Sequence, residues 1–338
     1  MRNVIPISCA VAIIAVVAGV KLARHQTARA PIVWYGNAAH PYITEVRAGV
    51  EAFAKDSGGG VYCTVGQEWT QDNQNVNVES LSTQGFLGFS LYPADPAGAN
   101  GLFKLLAGRG RRVVAFGAEP ALPTPIPFTV TTDIKGAAMT ATEELIRLMG
   151  GKGRMLNLLE AVTDVNTRKR DEGIREVVAR HPGVAILQTL SDMMQMGEAA
   201  TKIQSALAAR AGEIDGIIAT GFNPTVAAAA ILTEWNKDPS HKRIRFIGID
   251  TDATVVRAIR DGAVDATIAQ NPFGHGYISC ALLALMNEGW TPRQPYRFID
   301  AGTVLVTRAN LDTYAGQIRQ VTDRIVAELK TKFLSPPK

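Results

Sequence analysis

The stretch that decides the fold runs from Gly248 to Pro272 and reads GIDTDATVVRAIRDGAVDATIAQNP. In it an apolar strand ends on a single carboxylate, Asp250, a segment of helical length follows, and a second apolar strand ends on a single amide, Gln270. Strands that alternate with helices predict βαβ units and a parallel sheet. Ligands of such sheets bind beyond the carboxyl ends of the strands, so we expect Asp250 and Gln270 to form two sides of one pocket.

The same alternation extends outward from this stretch in both directions, beginning at Pro31. Short apolar runs rich in β-branched and aromatic residues, such as PIVWYG, IRFIGI and TVLVT, are separated by segments of helical length. The runs are apolar on both faces, as expected for strands that helices cover on both sides. About eleven strands are too many for one doubly wound sheet. The sequence therefore predicts an α/β fold with two doubly wound, parallel-sheet (Rossmann-like) lobes.

The charge of the chain is unevenly distributed. Of 35 basic and 31 acidic residues, four basic and no acidic ones lie in residues 1–30, so the rest of the chain is balanced. Net charge therefore gives no indication of the basic face that a nucleic-acid-binding protein needs.

Residues 1–30 have the features of an export segment. A short basic start precedes an uncharged apolar run of 17 residues, VIPISCAVAIIAVVAGV, which fits a signal peptide and lies at the lower limit for a membrane span. The best small-x-small cleavage site, at residues 28–30, lies well beyond this run. We therefore predict export to the periplasm, with residues 1–30 as a signal peptide or a retained membrane anchor.

The markers of common catalytic and cofactor sites are absent from the sequence. No segment fits the P-loop pattern, no GxGxxG follows the first strand, and no GxSxG is present. The five histidines have no histidine partner at helical spacing and no cysteine companion, which argues against a zinc site. We therefore expect no catalysis, no cofactor and no metal. We expect Cys63 and Cys280 to be free and buried, while an oxidising compartment would permit a bridge between them.

Polar and aromatic side chains follow the predicted strands at the points where ligands bind. Aromatic faces combined with a few hydrogen-bonding groups are typical of a pocket for a small polar ligand. From these positions we predict that seven residues contact the ligand: His40, Tyr42, Tyr92, Arg170, Phe222, Asp250 and Gln270.

Several motifs occur in the order and at the spacings of one known family. They are the opening stretch, HPYITEVRAGVEAFA after the first strand, TTDIKGAAMTATEELI, RKRDEGIREVV, and IDAGTVLVTRANLDTY near the end. With these motifs the chain resembles, from about residue 31 to 330, the type I periplasmic binding proteins, and within them the ribose-binding group of sugar receptors for ABC transporters.

The resemblance implies a division of the chain into two lobes. The chain is expected to cross between the lobes three times, near Thr131–Thr132, Gln270–Asn271 and Asp300–Ala301. The expected lobes are an N-terminal one, residues 31–131 plus 271–300, and a C-terminal one, residues 132–270 plus 301–338.

In this family a small ligand, usually a sugar, binds between the lobes and is buried when the hinge closes. The resemblance implies that Asp250 and Gln270 accept hydrogen bonds from sugar hydroxyls and that Arg170 donates from the second lobe. A carboxylate and a guanidinium suit a polyol because both form charge-assisted hydrogen bonds. The expected function is that of a monomeric receptor that delivers a carbohydrate-like ligand to an ABC permease.

The sequence departs from the family pattern at several expected contact positions. His40 and Tyr92 stand where the family has asparagine, and Phe222 stands at a later asparagine position unless Asn223 takes that place. An Asp-Arg pair is replaced by Gly117-Ala118, and Met193 stands at the expected second-lobe aromatic. These changes favour a ligand that is less hydroxylated than ribose, or one with an apolar or cationic part.

Each predicted contact also has a purely structural alternative. Asp250 could cap the following helix, and Gln270 could satisfy backbone groups at the hinge. Arg170 lies in a charged run and could belong to a solvated helix face, while His40 could form a structural turn. The aromatic side chains could be core residues.

The sequence also bears on three other functions. A membrane-anchored ligand sensor of the same fold, paired with a signalling receptor or histidine kinase, is suggested by the N-terminal segment and the altered pocket. An enzyme would have to lack the usual motifs. A DNA-binding repressor of this fold is excluded, because an apolar helix stands where its DNA-binding head would be.

Overall fold

The computed structural model describes residues 32–337. The predicted signal peptide or anchor, residues 1–30, lies outside the described residues. Within residues 32–337, no helix is both long enough and apolar enough to cross a bilayer.

Strands and helices alternate along almost the whole described chain, as the sequence predicts. The strands are β1 (Ile32–Gly36), β2 (Val61–Val65), β3 (Gly88–Leu91), β4 (Arg112–Phe116), β5 (Phe128–Thr131), β6 (Gly153–Leu158), β7 (Val184–Leu190), β8 (Gly216–Ala219), β9 (Arg245–Ile249), β10 (Ala266–Ala269), β11 (Thr291–Pro292), β12 (Arg297–Asp300), β13 (Val304–Thr307) and β14 (Leu334–Ser335). The α-helices are α1 (Pro41–Ser57), α2 (Gln71–Ser82), α3 (Ala99–Gly108), α4 (Ile134–Leu148), α5 (Val165–Ala179), α6 (Met196–Arg210), α7 (Phe222–Trp235), α8 (Ala253–Arg260), α9 (Pro272–Asn287) and α10 (Tyr314–Glu328).

The strands form two large sheets and one small one. The first sheet has the order β12-β5-β4-β3-β1-β2, and all its neighbouring strands are parallel. The second has the order β13-β10-β9-β8-β6-β7, parallel except for β13, which runs antiparallel to β10. Strands β11 and β14 pair separately. The predicted α/β fold with two doubly wound, parallel-sheet lobes is confirmed.

Each large sheet has a hydrophobic core on both faces. In the first lobe, Trp34 and Phe116 pack with α1 and α9 on one face, while Phe89 packs with α2 and α3 on the other. In the second lobe, Ile218 packs with α4 and α5, and Phe246 with α6, α7 and α8. Burial of each such side chain contributes about 1.5–3 kcal/mol, so each lobe has its own stabilising core.

The three predicted crossings meet at one place and are joined by hydrogen bonds. The Ala301 N–H donates to the carbonyl of Thr131 over 2.8 Å. The Asn271 Nδ2 donates to the carbonyl of Ala301 over 2.7 Å. The Asp133 N–H donates to Asp300 Oδ1 over 3.0 Å. The hinge is therefore one hydrogen-bonded unit.

The end of the chain divides between the two lobes. Strand β13 extends the second sheet, and Ile318 at the start of α10 packs against the second-lobe core. Farther along, Ile325 and Leu329 lie in the first-lobe core. The predicted assignment of all residues 301–338 to the C-terminal lobe differs from this packing, because an apolar helix face does not reveal which core it contacts.

The two cysteines among the described residues are free, as predicted. Cys280 on α9 is fully buried. Cys63 is partly exposed, in contrast to the prediction, because β2 is the edge strand of its sheet.

Candidate functional site

Asp250 and Gln270 lie side by side at the ends of the neighbouring strands β9 and β10. Gln270 Nε2 donates a hydrogen bond to Asp250 Oδ1 over 2.7 Å. The Asp250 backbone has a φ of 68°, in the left-handed region that is costly for most residues other than glycine. Such strain persists only where the surroundings fix it, and it is concentrated at functional sites.

The helix after Asp250 is capped by a different residue. The Asp252 side chain accepts a hydrogen bond from the Thr254 N–H over 2.6 Å and caps α8. The alternative interpretation of Asp250 as the N-cap is therefore wrong. Its second carboxylate oxygen has no hydrogen-bond partner among residues 32–337.

The Asp250 carboxylate lies in a mixed electrostatic environment. Burial raises its pKa above the usual value, while the hydrogen bond from Gln270 and the positive charge of Arg170 act to lower it. The result favours a carboxylate that gains from any additional hydrogen-bond donor, such as a ligand hydroxyl.

Arg170 projects from α5 and is buried, with only 9% of its surface exposed. The alternative of a solvated helix face is therefore wrong. Its Nε has no hydrogen-bond partner within the described part of the chain, yet its charge acts on Asp250, Tyr92 and Glu160. A buried guanidinium nitrogen without a partner is costly, and a hydrogen-bond acceptor on a ligand would relieve that cost.

An aromatic wall lines the first-lobe side of the site; it consists of His40, Tyr42, Trp69 and Tyr92, and the fully buried Phe116 of the core packs against it. Tyr92 is its centre and meets the edges or faces of Trp69, Phe116 and Tyr42 at ring-centroid distances of 4.9, 5.8 and 6.2 Å. These near-perpendicular contacts are a favourable arrangement for aromatic rings. Burial raises the pKa of Tyr92 to about 12, so its hydroxyl stays protonated at neutral pH.

The glycine at position 117 explains why this wall can be aromatic. Gly117 has a φ of 75°, and a Cβ at this position would lie 2.2 Å from Tyr42 Oη and 2.7 Å from the Tyr92 ring. The two tyrosines fill the space that a larger residue at position 117 would require. The positions of Tyr42 and Tyr92 therefore depend on glycine at position 117.

Tyr42 is held by a residue that the sequence did not reveal as part of the site. Its hydroxyl lies 2.9 Å from His275 Nδ1, and His275 Nε2 lies 3.3 Å from Thr132 Oγ1. Burial lowers the pKa of His275 to about 3, so its imidazole is neutral at physiological pH and its Nδ1 can accept a hydrogen bond from the Tyr42 hydroxyl. The aromatic wall is thereby linked to the hinge.

Tyr92 is fixed through its backbone. Its carbonyl accepts hydrogen bonds from Gln74 Nε2 over 2.7 Å and from Asn37 Nδ2 over 3.3 Å. Gln74 and Asn37 are also hydrogen-bonded to each other and are fully buried. They are positioning residues for the wall and do not themselves reach the cleft.

His40 occupies the start of α1 and forms the structural turn that was its alternative interpretation. Its Nδ1 accepts the Tyr42 N–H over 3.2 Å as the N-cap. Its ring is exposed and lies edge-on to Trp69, with centroids 6.0 Å apart. Trp69, which follows β2, thus belongs to the wall.

On the second lobe, Phe222 is the first residue of α7 and is 42% exposed. Beside it, the Asn223 N–H donates to Glu160 Oε1 over 3.1 Å. Met193 is fully buried in the second-lobe core, so the expectation that it replaces the stacking aromatic is wrong. Phe222 is the exposed ring on this side, and the second-lobe polar edge consists of Glu160, Arg170, Asp250 and Gln270.

One ion pair joins the two lobes next to the site. Lys169 Nζ on α5 lies 3.3 Å from Glu119 Oε2, which follows β4 of the first lobe. The other oxygen, Glu119 Oε1, accepts a hydrogen bond from the Tyr296 hydroxyl over 2.7 Å. The lobes therefore touch through charged groups in this conformation.

The described residues contain no group of three or more His, Cys, Asp and Glu side chains that could hold a metal ion. The chemistry available at the site is that of hydrogen bonding, charge and aromatic contact.

Comparison with known proteins supports the fold. Residues 32–289 match the family described as a periplasmic binding protein domain. The chain is 23% identical over 262 residues, 75% of its own length and 70% of the relative's, to the xylitol-binding protein of Mycolicibacterium smegmatis. It is 24% identical to the ribose import binding protein of Bacillus subtilis, over 69% of this chain and 73% of that one.

The fold is also similar to that of a solved structure. A sugar-binding protein of a sugar ABC transporter from Bacillus halodurans superposes with a TM-score of 0.75 at 20% identity. The match covers 84% of this chain and 98% of the other.

Proposed function

Because the chain belongs to the family of periplasmic binding protein domains, we propose that it is a receptor that captures a sugar or sugar-like small molecule between its two lobes. The hinge closes over the ligand, and the receptor, an exported monomer, delivers it to an ABC permease. No catalysis, cofactor or metal takes part.

The observation that carries this proposal is the pairing of unsatisfied polar groups with an aromatic wall. Asp250 offers a free carboxylate oxygen, and Arg170 offers a buried Nε that lacks a partner among residues 32–337. Hydrogen bonds to charged groups contribute about 1.5–3 kcal/mol each, and a hydroxylated ligand could bond to both groups. The apolar faces of its ring would lie against the tyrosines of the wall.

The relatives support a carbohydrate-like ligand. Their names specify xylitol and ribose, and the similar solved structure is a sugar-binding protein. The ion pair between Glu119 and Lys169 supports hinge closure, because its two residues belong to different lobes.

Ligand screening by thermal shift tests this proposal. The full-length chain is expressed, purified from the exported fraction and heated with pentoses, hexoses, deoxy sugars, inositols and quaternary amines. A ligand at a hundredfold excess over its Kd should stabilise the protein by about 2.7 kcal/mol.

The substitution Asp250→Asn should abolish the shift, because it keeps the shape and removes the charge. Asp252→Asn is the matched control, since asparagine also caps helices, and it should leave the shift intact. Equal ligand shifts in both variants would contradict the assigned site.

A second candidate function is a membrane-anchored sensor that passes ligand binding to a signalling receptor or histidine kinase. The observation that favours it is the position of the best cleavage site, residues 28–30, well beyond the apolar run that ends at Val20. N-terminal sequencing of the exported protein separates the two. A mature chain that begins near Pro31 supports the soluble receptor, and retention of residues 1–30 in the membrane fraction supports the sensor.

A further inference from the structure

A second cavity, the pole pocket, lies at the end of the first lobe that is remote from the cleft. It is enclosed by Phe103 of α3, Arg112 at the start of β4, residues 125–127 and Trp290 after α9, and its volume is about 250 Å³. Strand β4 begins at this pocket and ends at Phe116, which packs against the aromatic wall. The length of the strand, about 13 Å at the usual rise per residue, therefore separates the pole pocket from the cleft.

Hydrogen bonds between separate segments hold the walls of the pole pocket in place. The Trp290 N–H donates to the Leu285 carbonyl over 3.1 Å, and the Arg297 N–H donates to the Pro127 carbonyl over 2.8 Å. Strand β11, which forms another part of the wall, pairs with β14. The pocket is thus preformed, and a preformed pocket binds a ligand with little cost of ordering.

The charge of the pole pocket is positive. Among the described residues that line it, only Arg111 and Arg112 are charged, and the remaining side chains are almost all apolar. A third cation lies close by, because Lys330 Nζ is 5.1 Å from the centre of the Trp290 ring. A pocket with apolar walls and two guanidinium groups suits a ligand that is both apolar and anionic.

The hydrogen-bond donors of the pole pocket lack acceptors. Arg111 Nε is buried without a hydrogen-bond partner in the described part of the chain. Arg112 Nη1 donates to Asn287 Oδ1 over 3.3 Å, and Asn287 Nδ2 is also buried without a partner among residues 32–337. Within the same residues, the only other guanidinium nitrogen in this condition is Arg170 Nε in the cleft. A buried donor without an acceptor is costly, and an anionic ligand would relieve that cost.

The volume of the pole pocket sets the size of the ligand. An apolar cavity of about 150 Å³ accepts benzene, so a cavity of about 250 Å³ has room for a ring and a small charged group. A carboxylate or a phosphate is the group that a guanidinium binds best, because its oxygens match the fork of N–H donors. A neutral sugar would leave both guanidinium charges uncompensated and would place its hydroxyls against apolar walls.

We propose that the pole pocket is a second binding site, for a small aromatic or aliphatic acid whose carboxylate or phosphate group binds Arg111 and Arg112. The apolar body of the acid lies against Phe103 and Trp290. This site is separate from the cleft, so the inference goes beyond the proposed function and does not rest on it.

Isothermal titration calorimetry of the exported chain at neutral pH tests the inference. The probes are phenyl phosphate, phenylacetate and hexanoate, with benzyl alcohol, phenylacetamide and hexanamide as their neutral counterparts. At least one acid should bind at least about tenfold more tightly than its neutral counterpart and than inorganic phosphate, which lacks the apolar body. Binding of inorganic phosphate as tight as that of every acid would indicate an adventitious ion only. That result, or no binding of any acid to the folded protein, overturns the inference.

Substitutions assign the residues. Arg111→Met keeps the apolar stem of the side chain and should weaken binding of the acid at least about tenfold. It should not lower the melting temperature of the ligand-free protein, because the donor that it removes is unpartnered. Arg112→Met is the second variant and should also weaken binding. Arg109→Met is the matched control, since Arg109 is exposed and donates to Ser82 Oγ, and its affinity for the acid should stay within about twofold of that of the wild type. Unchanged affinity in both Arg111→Met and Arg112→Met contradicts the assigned residues.

A variant of the cleft shows which of the two sites takes up the acid. Arg170→Met should leave the affinity for the acid within about twofold of that of the wild type, because this residue lies in the cleft. Loss of binding in Arg170→Met together with retention in Arg111→Met would assign the anion to the cleft and overturn the inference. Each of these outcomes leaves the proposed binding of a sugar in the cleft to be decided by its own test.

Vesicles test a different source of the same anionic chemistry. Vesicles of phosphatidylglycerol and phosphatidylcholine are sedimented with the wild-type protein and with Arg111→Met. We expect no sedimentation that depends on Arg111, because the pocket is a cavity of limited volume. Sedimentation that Arg111→Met abolishes, without binding of any free acid, would make the site a contact with a lipid surface and overturn the assignment to a small acid.

Discussion

The two sides of the cleft carry different kinds of side chain. The second-lobe polar edge keeps the carboxylate, the guanidinium and the hinge amide that the family resemblance implies at positions 250, 170 and 270. The first-lobe aromatic wall has His40 and Tyr92 at positions where the resemblance implies asparagine, and it depends on the absence of a side chain at Gly117. The comparison teaches that the two sides of this site differ in kind, since one consists of packed aromatic rings and the other of hydrogen-bonding and charged groups.

The largest expected effect is on stability, and it tests whether the aromatic wall is packed tightly around Gly117. Gly117→Ala should destabilise the protein by about 3 kcal/mol, because it adds the left-handed backbone penalty to a clash with Tyr42 and Tyr92. Gly110→Ala is the control: its φ of 69° is similar, but no atom lies within 4 Å of the added Cβ. That variant should lose only about 1 kcal/mol in urea unfolding. Equal losses would show that the wall is not tightly packed at Gly117.

The next effect tests the opposite side. Arg170→Met should lower ligand affinity about 100-fold, because charge-assisted hydrogen bonds are lost. It should also raise the melting temperature of the ligand-free protein, because a buried guanidinium with an unpartnered Nε is removed. Arg168→Met on the same helix is the control, and its ligand affinity measured by calorimetry should stay within about twofold of that of the wild type. If Arg170→Met lowered both the ligand affinity and the melting temperature of the ligand-free protein, Arg170 would have a structural role.

The link between the wall and the hinge predicts a pH dependence. The folded-state pKa of His275 is about 3, against an ordinary value of 6.5. Between these two pH values the imidazole binds a proton in the unfolded state and not in the folded state. Stability from this group is present above pH 6.5 and is lost as the pH falls, by about 2 kcal/mol at pH 5.

His275→Gln keeps hydrogen bonds to Tyr42 and Thr132 without titrating, so the stability difference between wild type and variant should shift by that amount between pH 7.5 and 5. Raised carboxylate pKa values at Asp250 and Glu160 act in the opposite direction, but they are common to both proteins and cancel. His181→Gln, at a half-exposed site, is the control. A constant difference would mean that His275 is protonated in the fold.

The smallest effect concerns the contact between the two sides. Glu119→Gln should weaken ligand binding about twofold, since partly exposed ion pairs contribute about 0.2–1 kcal/mol. The effect should disappear at high salt and in a Lys169→Met background, because the pair is then already screened or broken. An undiminished effect in that background would show that Glu119 acts through Tyr296 instead.

The fold could be predicted from the sequence because its information is local. Runs such as IRFIGI that are apolar on both faces identify buried strands, and the Asp250–Gln270 pair follows from the rule that parallel strands end at the same edge. These features require only short-range patterns, which the structure confirms.

The supporting residues of the site could not be predicted in the same way. His275 reaches Tyr42 across 233 positions of sequence, and Gln74 reaches the Tyr92 backbone from a helix whose sequence is mostly polar. A repeated pattern does not encode such contacts, since they arise when separate elements pack. The prediction that Met193 stands in for the second-lobe aromatic was wrong for a similar reason. Sequence alone does not show which of two neighbouring methionines faces the core, and in the structure Met193 is buried and Met194 is exposed.

The return of the chain to the first lobe has a consequence for biosynthesis. Strands β1 to β5 are made first, but helix α9 and strand β12, which complete that sheet and one of its cores, follow only after residues 132–271. The second lobe is also bound by the late α10. Nascent chains therefore expose apolar surface until nearly the whole sequence has been synthesised, and a protein truncated after α9 should be captured by chaperones or proteases before it can act as a receptor.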